Sequence, residues 1–565
     1  MADNPGFVDD VSQTQSAEGE KIAISEEKET SASNPNDQVY VNIDAAQAPE
    51  KANGSQGTER GNLPVMDLPP TKPYAGMGKE DLLRFSETPF WNRFRMVCLI
   101  IFWLGWLALL GAVIGLTIVA PRCSDPPQPT WWQRSTFYQV YLRSFQDTDG
   151  DGIGDIAGLT NKLNYIDDLN VGAIVLSSIF ESSDGGDLDQ EITNHTVIDD
   201  VYGTMQDFET LLERVHELGM KLILEFIPNH TGREHQWFVA SRADPDPSNQ
   251  YWNYYIWSDC PSLNPVNNWR SVFGGSAWTE GFGQSDRCYL HQMSENQPDL
   301  NLRSGRVRGE LDDIMLFWLE KGVDGFRINN VQLLYEDSDL RNDSQVEGCD
   351  DTNEPYECLD HQYSSNQPEI HDIIAHWRSL LNEFGERTGA ERILLTDAVA
   401  SINETGKYYG TLGRTGAHLP FNYALRSYEE NDKLEEPEDN RLWAIIHQWL
   451  TVVPEAEIGT WAMASQDRSR MTFVDSGDDL QLRAFNVLQM TLPGVAISYY
   501  GEEIGMKNGN TSDAGVGDRV RYRTPMQWDS SENAGFSNMT NGAIPDDPWT
   551  PVNADYLTIN VEVST

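Results

Sequence analysis

The sequence predicts an α/β protein: a single membrane-crossing helix followed by a (β/α)8 TIM barrel, with a small domain inserted after the third strand. Three observations predict it. From Trp131 onward, short apolar runs alternate with longer helical stretches, as a parallel barrel requires. The chain has 565 residues with 17 Trp, 21 Tyr and 20 Phe, apolar mass enough for a barrel of roughly 250 to 400 residues. The 24 residues from Val97 to Ala120 contain no charge.

In chain order, residues 1–96 form a cytosolic N-terminal tail. Up to about residue 70 it lacks apolar periodicity and carries runs such as Ser31-Ala32-Ser33-Asn34-Pro35-Asn36, the composition of a disordered segment. Lys79 to Phe94 has spaced apolar residues with basic neighbours and predicts a short helix on the inner membrane surface. Residues 97–120 would span roughly 36 Å as a helix, enough to cross a bilayer core. About 96 residues of polar character precede this run, which argues against a cleaved signal peptide. Lys72, Lys79, Arg84, Arg93 and Arg95 lie on its amino side and only Arg122 lies close on the other. The positive-inside rule therefore places the N-terminus in the cytosol, giving a single-pass type II protein. Gly111 and Gly115 form a small-xxx-small pair that permits close approach of another helix. Residues 121–135 form an extracellular neck, and residues 136–565 the barrel.

The predicted strands are Phe137–Leu142, Ala173–Leu176, Lys221–Ile227, Val323–Ile328, Ile393–Thr396, Phe421–Leu425, Gly459–Met463 and Val495–Tyr500. Between the third and fourth, residues of about 231–300 are rich in Trp, Asn and Pro and too long for an ordinary loop. They predict the inserted domain. A barrel's functional face lies at the carboxyl ends of its strands.

Beyond the membrane the compartment is oxidising, and disulfides persist there. The local pairings are Cys260 with Cys288 and Cys349 with Cys358, though spacing does not prove connectivity. Cys98 lies within the membrane run, and Cys123, three residues outside it, is left over. A leftover thiol there points to an intermolecular bond, with a free thiol or a homodimer bridge as the other readings. Sequons at Asn194, Asn229, Asn342, Asn403, Asn510 and Asn538 agree with a lumenal route. The formal net charge of −48 excludes nucleic acid as a partner and is simply explained as a solvated surface. Asp147-Thr148-Asp149-Gly150-Asp151-Gly152-Ile153-Gly154-Asp155 sets oxygen donors at alternating positions with glycines for a sharp turn, the form of a calcium loop.

Several strings occur in a telling order: Ile227-Pro228-Asn229-His230-Thr231, Gln297-Pro298-Asp299-Leu300-Asn301, Gly325-Phe326-Arg327-Ile328-Asn329, Tyr499-Tyr500-Gly501-Glu502-Glu503 and Thr524-Pro525-Met526-Gln527-Trp528. Together they resemble the alpha-glucosidase branch of the alpha-amylase superfamily. A retaining glycosidase needs a nucleophilic carboxylate and an acid/base carboxyl about 5 Å apart. The resemblance puts Asn329 at the nucleophile position, where an amide cannot form the glycosyl ester, and retains Arg327 beside it. It puts Asp397 where the acid Glu belongs, one methylene short, a displacement of about 1 Å that costs on the order of 100-fold. The seventh-strand Asn-His-Asp reads Ser465-Gln466-Asp467, the first-motif Asp is Glu225, and His230 is retained. Asn194 and His195 fall where the family sets an Asp and a Tyr against the sugar, so a glycan on Asn194 would cover the pocket mouth. These departures imply a pseudoenzyme. The resemblance also implies a second calcium between barrel and inserted domain, held by Asn229, Asp299, Glu336 and a carbonyl near Leu333; Asn229 would then be unglycosylated.

Before, within and after the membrane run, Tyr74-Ala75-Gly76-Met77-Gly78-Lys79-Glu80, Phe102-Trp103-Leu104-Gly105-Trp106-Leu107 and Ala120-Pro121-Arg122-Cys123 resemble a heavy subunit of heteromeric amino-acid transporters. The inserted domain resembles the rBAT type and the membrane helix the other heavy-chain type, so the subtype stays open. The resemblance implies a non-catalytic plasma-membrane glycoprotein that binds a light-chain transporter through Cys123 and carries it to the surface. The alternatives are a membrane-anchored alpha-glucosidase, against which Asn329 speaks, and a carbohydrate-binding or adhesion module. The family's C-terminal β domain is expected after the barrel and is missing from this chain, which ends at Thr565.

Overall fold

The computed structural model describes residues 76–120, 128–183, 190–260, 266–281, 286–349, 352, 355–411, 413–428, 438–471, 479–510, 518–537 and 547–564. Contacts divide the chain into two compact units, Met1–Cys123 and Ser124–Thr565.

In the first unit, α1 spans Lys79–Ser86 and α2 spans Pro89–Val119. The helix expected over Lys79–Phe94 is therefore broken. Thr88 precedes a proline, which disfavours helical backbone there, and its φ of −61° and ψ of 144° are extended. Pro89 then starts the long helix at a position where its missing N–H costs nothing. Residues 89–94 open α2 as an aromatic collar, with Phe90–Trp91 and Trp91–Phe94 ring centroids both 5.5 Å apart. The apolar run lies within α2, whose best 18-residue window has a mean hydropathy of 2.6.

The second unit is built on eight parallel strands. In chain order its strands are β1 (Phe137–Val140), β2 (Ala173–Leu176), β3 (Phe180–Ser182), β4 (Ile192–Ile198), β5 (Lys221–Phe226), β6 (Trp257–Asp259), β7 (Trp278–Glu280), β8 (Arg287–Leu290), β9 (Gly325–Ile328), β10 (Ile393–Thr396), β11 (Leu419–Pro420), β12 (Thr460–Ala462) and β13 (Val495–Tyr499). The sheet order β11-β10-β9-β5-β2-β1-β13-β12 is a barrel closed everywhere by strand ladders except between the sixth and seventh staves, β11 and β12. Side chains alternate as the pleat demands. Ala173, Val175, Ile223, Ile393, Leu395 and Ile497 fill the barrel interior, while Ile174, Leu176, Leu222, Leu224 and Leu394 pack outward.

The outer ring includes α3 (Ile156–Asp168) and α4 (Met205–Glu217), then, after the short α5 (Gln236–Ala243), α6 (Gly305–Lys321) and α7 (Ile370–Thr388). After the short α8 (Ile402–Lys407) come α9 (Glu438–Val452) and α10 (Asp479–Thr491). Their ends are chemically marked. Asp155 caps α3 through Gly158 N at 2.7 Å, Thr204 and Asp207 form a capping box on α4, and Gly322 closes α6 at a φ of 113°.

The sixth strand differs from expectation. It is Leu419–Pro420, which ends before the expected start at Phe421, and Ala424 and Leu425 of the expected strand open a 3-10 helix, Ala424–Tyr428. The strand stops because Asn422 turns its amide into the seam, where Nδ2 donates to Thr460 O at 3.1 Å. Its carbonyl accepts Ala462 N at 3.0 Å, so one residue's side chain and backbone bridge the open edge.

The segment after β5 carries α5 and an antiparallel sheet in the order β6-β8-β7. The Cys260–Cys288 bond ties the end of β6 to β8. Trp269, Trp278 and Leu290 give this segment its own apolar cluster.

Candidate functional site

The carboxyl ends of β5, β9 and β10 and the turn after β12 converge. Glu225 comes from β5, Arg327 from β9 with Asn329 just beyond it, Asp397 from just after β10, and Gln466 and Asp467 from the turn after β12. All six are buried or nearly so. Parallel strands in register bring Glu225 opposite Arg327, and Arg327 Nη1 donates to Glu225 Oε1 at 2.8 Å.

Asn329 Nδ2 donates to Glu225 Oε1 at 2.8 Å and to Asp467 Oδ2 at 3.2 Å. Glu225 Oε2 accepts Gln466 Nε2 at 2.6 Å and Ser178 N at 3.2 Å. Asp397 Oδ2 accepts Arg327 Nη2 and, at 2.7 Å, the Tyr423 hydroxyl. Asp467 Oδ1 accepts Arg523 Nη2 at 3.0 Å, with Arg519 Nη1 at 3.7 Å.

Burial pushes the Glu225 carboxyl above its ordinary range, against the pull of Arg327. Burial works the same way on Asp467, but the guanidiniums of Arg519, Arg523 and Arg327 outweigh it and hold that group at about 2. Burial opposes the charge of Arg327, and Glu225 and Asp397 more than restore it, raising its pKa. Three carboxylates thus face three guanidiniums around one neutral amide. The side chain at Asn329 is an uncharged amide, and Asp397 is already engaged twice.

Above this floor lies a cavity of about 1270 Å³ lined by Asn329, Asn330, Gln332, Asp397, Asp467 and Arg519. Phe273 and Tyr356 also line it, as do Ser401, Glu404 and Lys407 of the α8 region. Arg519, Arg523 and Tyr423 went unrecognised in the sequence. The alternation Arg519-Val520-Arg521-Tyr522-Arg523 in so acidic a chain was the available signal for the first two.

Asn194 and His195 do not reach the cavity, which corrects their placement at its mouth. They lie on β4, which folds back on β3 as a hairpin, and His195 O accepts Trp318 Nε1 of α6 at 2.8 Å. The His195 ring is buried among Phe180, Phe226, His235 and Trp237. Burial, then the neighbouring His235 and His230, push its pKa down to about 3. His230 is likewise buried and does not line the cavity.

Asp147, Asp149 and Asp151 bring carboxylate oxygens within 4.8 Å of one another. Gly150 N and Gly152 N donate to Asp147 at 2.7 and 3.0 Å, and Gly152, at a φ of 85°, has room for no side chain because a Cβ would lie 2.4 Å from Asp547 O. A tight acidic loop of this form fits a hard cation. Asp155 is turned elsewhere, to Thr148 N and to Gly158 at the start of α3. The backbone carbonyl of Ile153, the other residue expected to join the loop, belongs to the same turn, and Ile153 N donates to Asp151 Oδ1 at 2.8 Å.

The second proposed ligand set is not drawn together as an ion site. Asn229 Nδ2 donates to Asp299 Oδ1 at 3.1 Å, Leu333 O accepts Gln292 Nε2 at 2.9 Å, and Glu336 is paired with Arg303. An ion would have to displace both Gln292 and Arg303, so these residues as placed do not fit one.

Cys349 is bonded to Cys358, with Cα atoms 5.5 Å apart. Cys123 and the sequon residue Asn538 lie outside the described residues.

The chain matches two families: alpha amylase, catalytic domain, over residues 139–565, and solute carrier family 3 member 2 N-terminus, over residues 66–138. It is 38% identical over 511 residues to the amino acid transporter heavy chain SLC3A1 of Homo sapiens, covering 88% of this chain and 70% of that protein. It is also 38% identical over 467 residues to the alpha-glucosidase of Culex pipiens, covering 81% of this chain and 76% of that protein. Among solved structures, the alpha-glucosyl transfer enzyme XgtA is similar at a TM-score of 0.67 and 29% identity, covering 77% of this chain and 81% of that one.

Proposed function

We propose that this chain, which belongs to the amino-acid transporter heavy-chain family and carries an alpha-amylase-type barrel, is a non-catalytic type II membrane glycoprotein that escorts a light-chain transporter to the plasma membrane. The observation that carries this reading is Asn329. Overall identity to the human heavy chain and to the mosquito glucosidase is equal, so the site must discriminate, and its nucleophile position holds an amide bonded to two carboxylates. A membrane-anchored alpha-glucosidase is the alternative, and it requires a carboxylate there.

In this reading α2 crosses the bilayer with Arg93 and Arg95 on the cytosolic side, and Cys123 forms the intermolecular disulfide just outside it. Calcium held by the carboxylates of the Asp147–Asp151 loop would neutralise their mutual repulsion and pin the turn that precedes α3.

The test is co-expression of the full chain with candidate light subunits. Increased surface labelling and amino-acid uptake are expected with a matching subunit, together with no hydrolysis of an aryl alpha-glucoside by the chain. Turnover of the glucoside that is lost in Asp467→Ala would replace this reading with the glucosidase one.

A further inference from the structure

We propose that Asn403 carries an N-linked glycan that stands on the rim of the cavity and screens its mouth. The inference rests on the lumenal orientation proposed above. Burial and bonding sort the sequons. Asn229 is 1% exposed with its amide on Asp299, which leaves no room for a sugar. Asn194 is half-buried on β4 and does not line the cavity. Asn342 is exposed but does not line the cavity.

Asn403 is exposed and lies on α8, which is, among the described residues, the α-helix that contributes side chains to the cavity wall. Ser401, Glu404 and Lys407 recur every third residue along that face and line the cavity. Asn403, one residue before Glu404, is rotated about 100° from it, onto the outer shoulder of the rim. The shoulder is held firmly. Ser401 Oγ caps Glu404 N at 3.3 Å, Lys407 Nζ pairs with Glu404 Oε1 at 2.6 Å, and Thr405, the third sequon residue, is buried.

A second observation points to a cover over this mouth. Val399, just before α8, is 63% exposed on the cavity wall, and Phe273, from the segment inserted after β5, is 38% exposed on the same wall. The N-acetyl groups and pyranose faces of a glycan stem supply the mixed apolar and hydrated contact that such a rim accepts. With the stem in place, small solutes reach the floor and polymers do not.

The test uses the full chain co-expressed with its light subunit. Glycopeptide mass spectrometry reads occupancy at Asn403 and Asn342, and hydrogen exchange is followed over residues 355–366 and 397–407. Expected are a glycan on Asn403 and severalfold faster exchange of both segments in Asn403→Gln, and after enzymatic deglycosylation of the folded protein, with Asn342→Gln unchanged. Glycan on Asn342 with Asn403 bare overturns the proposal alone, as does an occupied Asn403 whose removal leaves exchange unaltered. Both sites bare likewise overturns the proposal, and a chain without glycan at any of its sequons brings down the lumenal orientation with it.

Discussion

Asn329 Nδ2 lies 2.8 Å from Glu225 Oε1 and donates to it, so the amide just beyond β9 serves as a strut to β5. Its other hydrogen goes to Asp467. Replacing this double donor by a carboxylate sets a further negative charge against two others. Asn329→Asp is therefore expected to leave aryl alpha-glucosides untouched and to lower stability by about 1–3 kcal/mol. Thermal unfolding beside a hydrolysis assay checks both halves. A variant that is as stable as the parent would show the strut to be dispensable.

Glu502 gives the fold a pH dependence of its own. Burial pushes its carboxyl up from 4.5 to about 7, against the pull of Tyr499 N–H and Arg470. The folded-state value exceeds the unfolded one, so this stability is fully present below about pH 4.5 and is lost as pH rises through 7. Glu502→Gln keeps an oxygen to accept Tyr499 N and has no proton to lose. It should match the parent near pH 4.5 and exceed it at pH 8 by about 2–3 kcal/mol. Denaturant unfolding at the two pH values measures the difference, and equal curves at pH 8 would refute it.

Calcium should stabilise the barrel through the Asp147–Asp151 loop, because a ligand bound only by the folded state adds stability by mass action. Chelation is expected to lower the melting temperature, and Asp149→Ala should abolish that response while Asp299→Asn leaves it in place. A melting curve unaffected by EDTA, with no metal in elemental analysis, removes the site.

On the topology proposed above, Cys123 follows the membrane span within three residues of sequence, so the partner loop it would meet is one equally close to the bilayer. With a light subunit co-expressed, a large species is expected on non-reducing gels, and Cys123→Ser should abolish it while leaving much of the surface expression, because the non-covalent contacts expected of the pair do not depend on the thiol. Covalent linkage surviving in the serine variant would assign the bond to another cysteine.

The barrel was legible because its strands carry strong period-two and continuous apolar patterns: Ala173–Leu176 and Ile393–Thr396 occur with the same bounds in sequence and structure. The sixth strand was misjudged because Phe421 and Leu425 are apolar for different reasons, one filling the barrel and the other packing under α9. Local periodicity cannot separate those two burials. The floor residues could be found by motif, since backbone register alone sets Glu225 beside Arg327. The hairpin β3–β4 could not: its strands are short and one of them, Phe180–Ser182, is only three residues long. Asn194 and His195 therefore fall, by resemblance, at a pocket mouth that the hairpin does not bring them to. The partners of Asp467 also escaped, because Arg519 and Arg523 arrive from more than fifty residues downstream and no local pattern ties them to it.

The open ladder between β11 and β12 makes the barrel mechanically unequal around its girth. Seven joints are sewn by strand pairing, while the eighth hangs on Asn422 and on the Thr460 hydroxyl bonded to Pro420 O. That joint lacks the backbone ladder that resists opening at the other seven. Tyr423, the residue after Asn422, holds Asp397 through its hydroxyl, so the side-chain stitch of the wall and the floor of the cavity hang from adjacent residues.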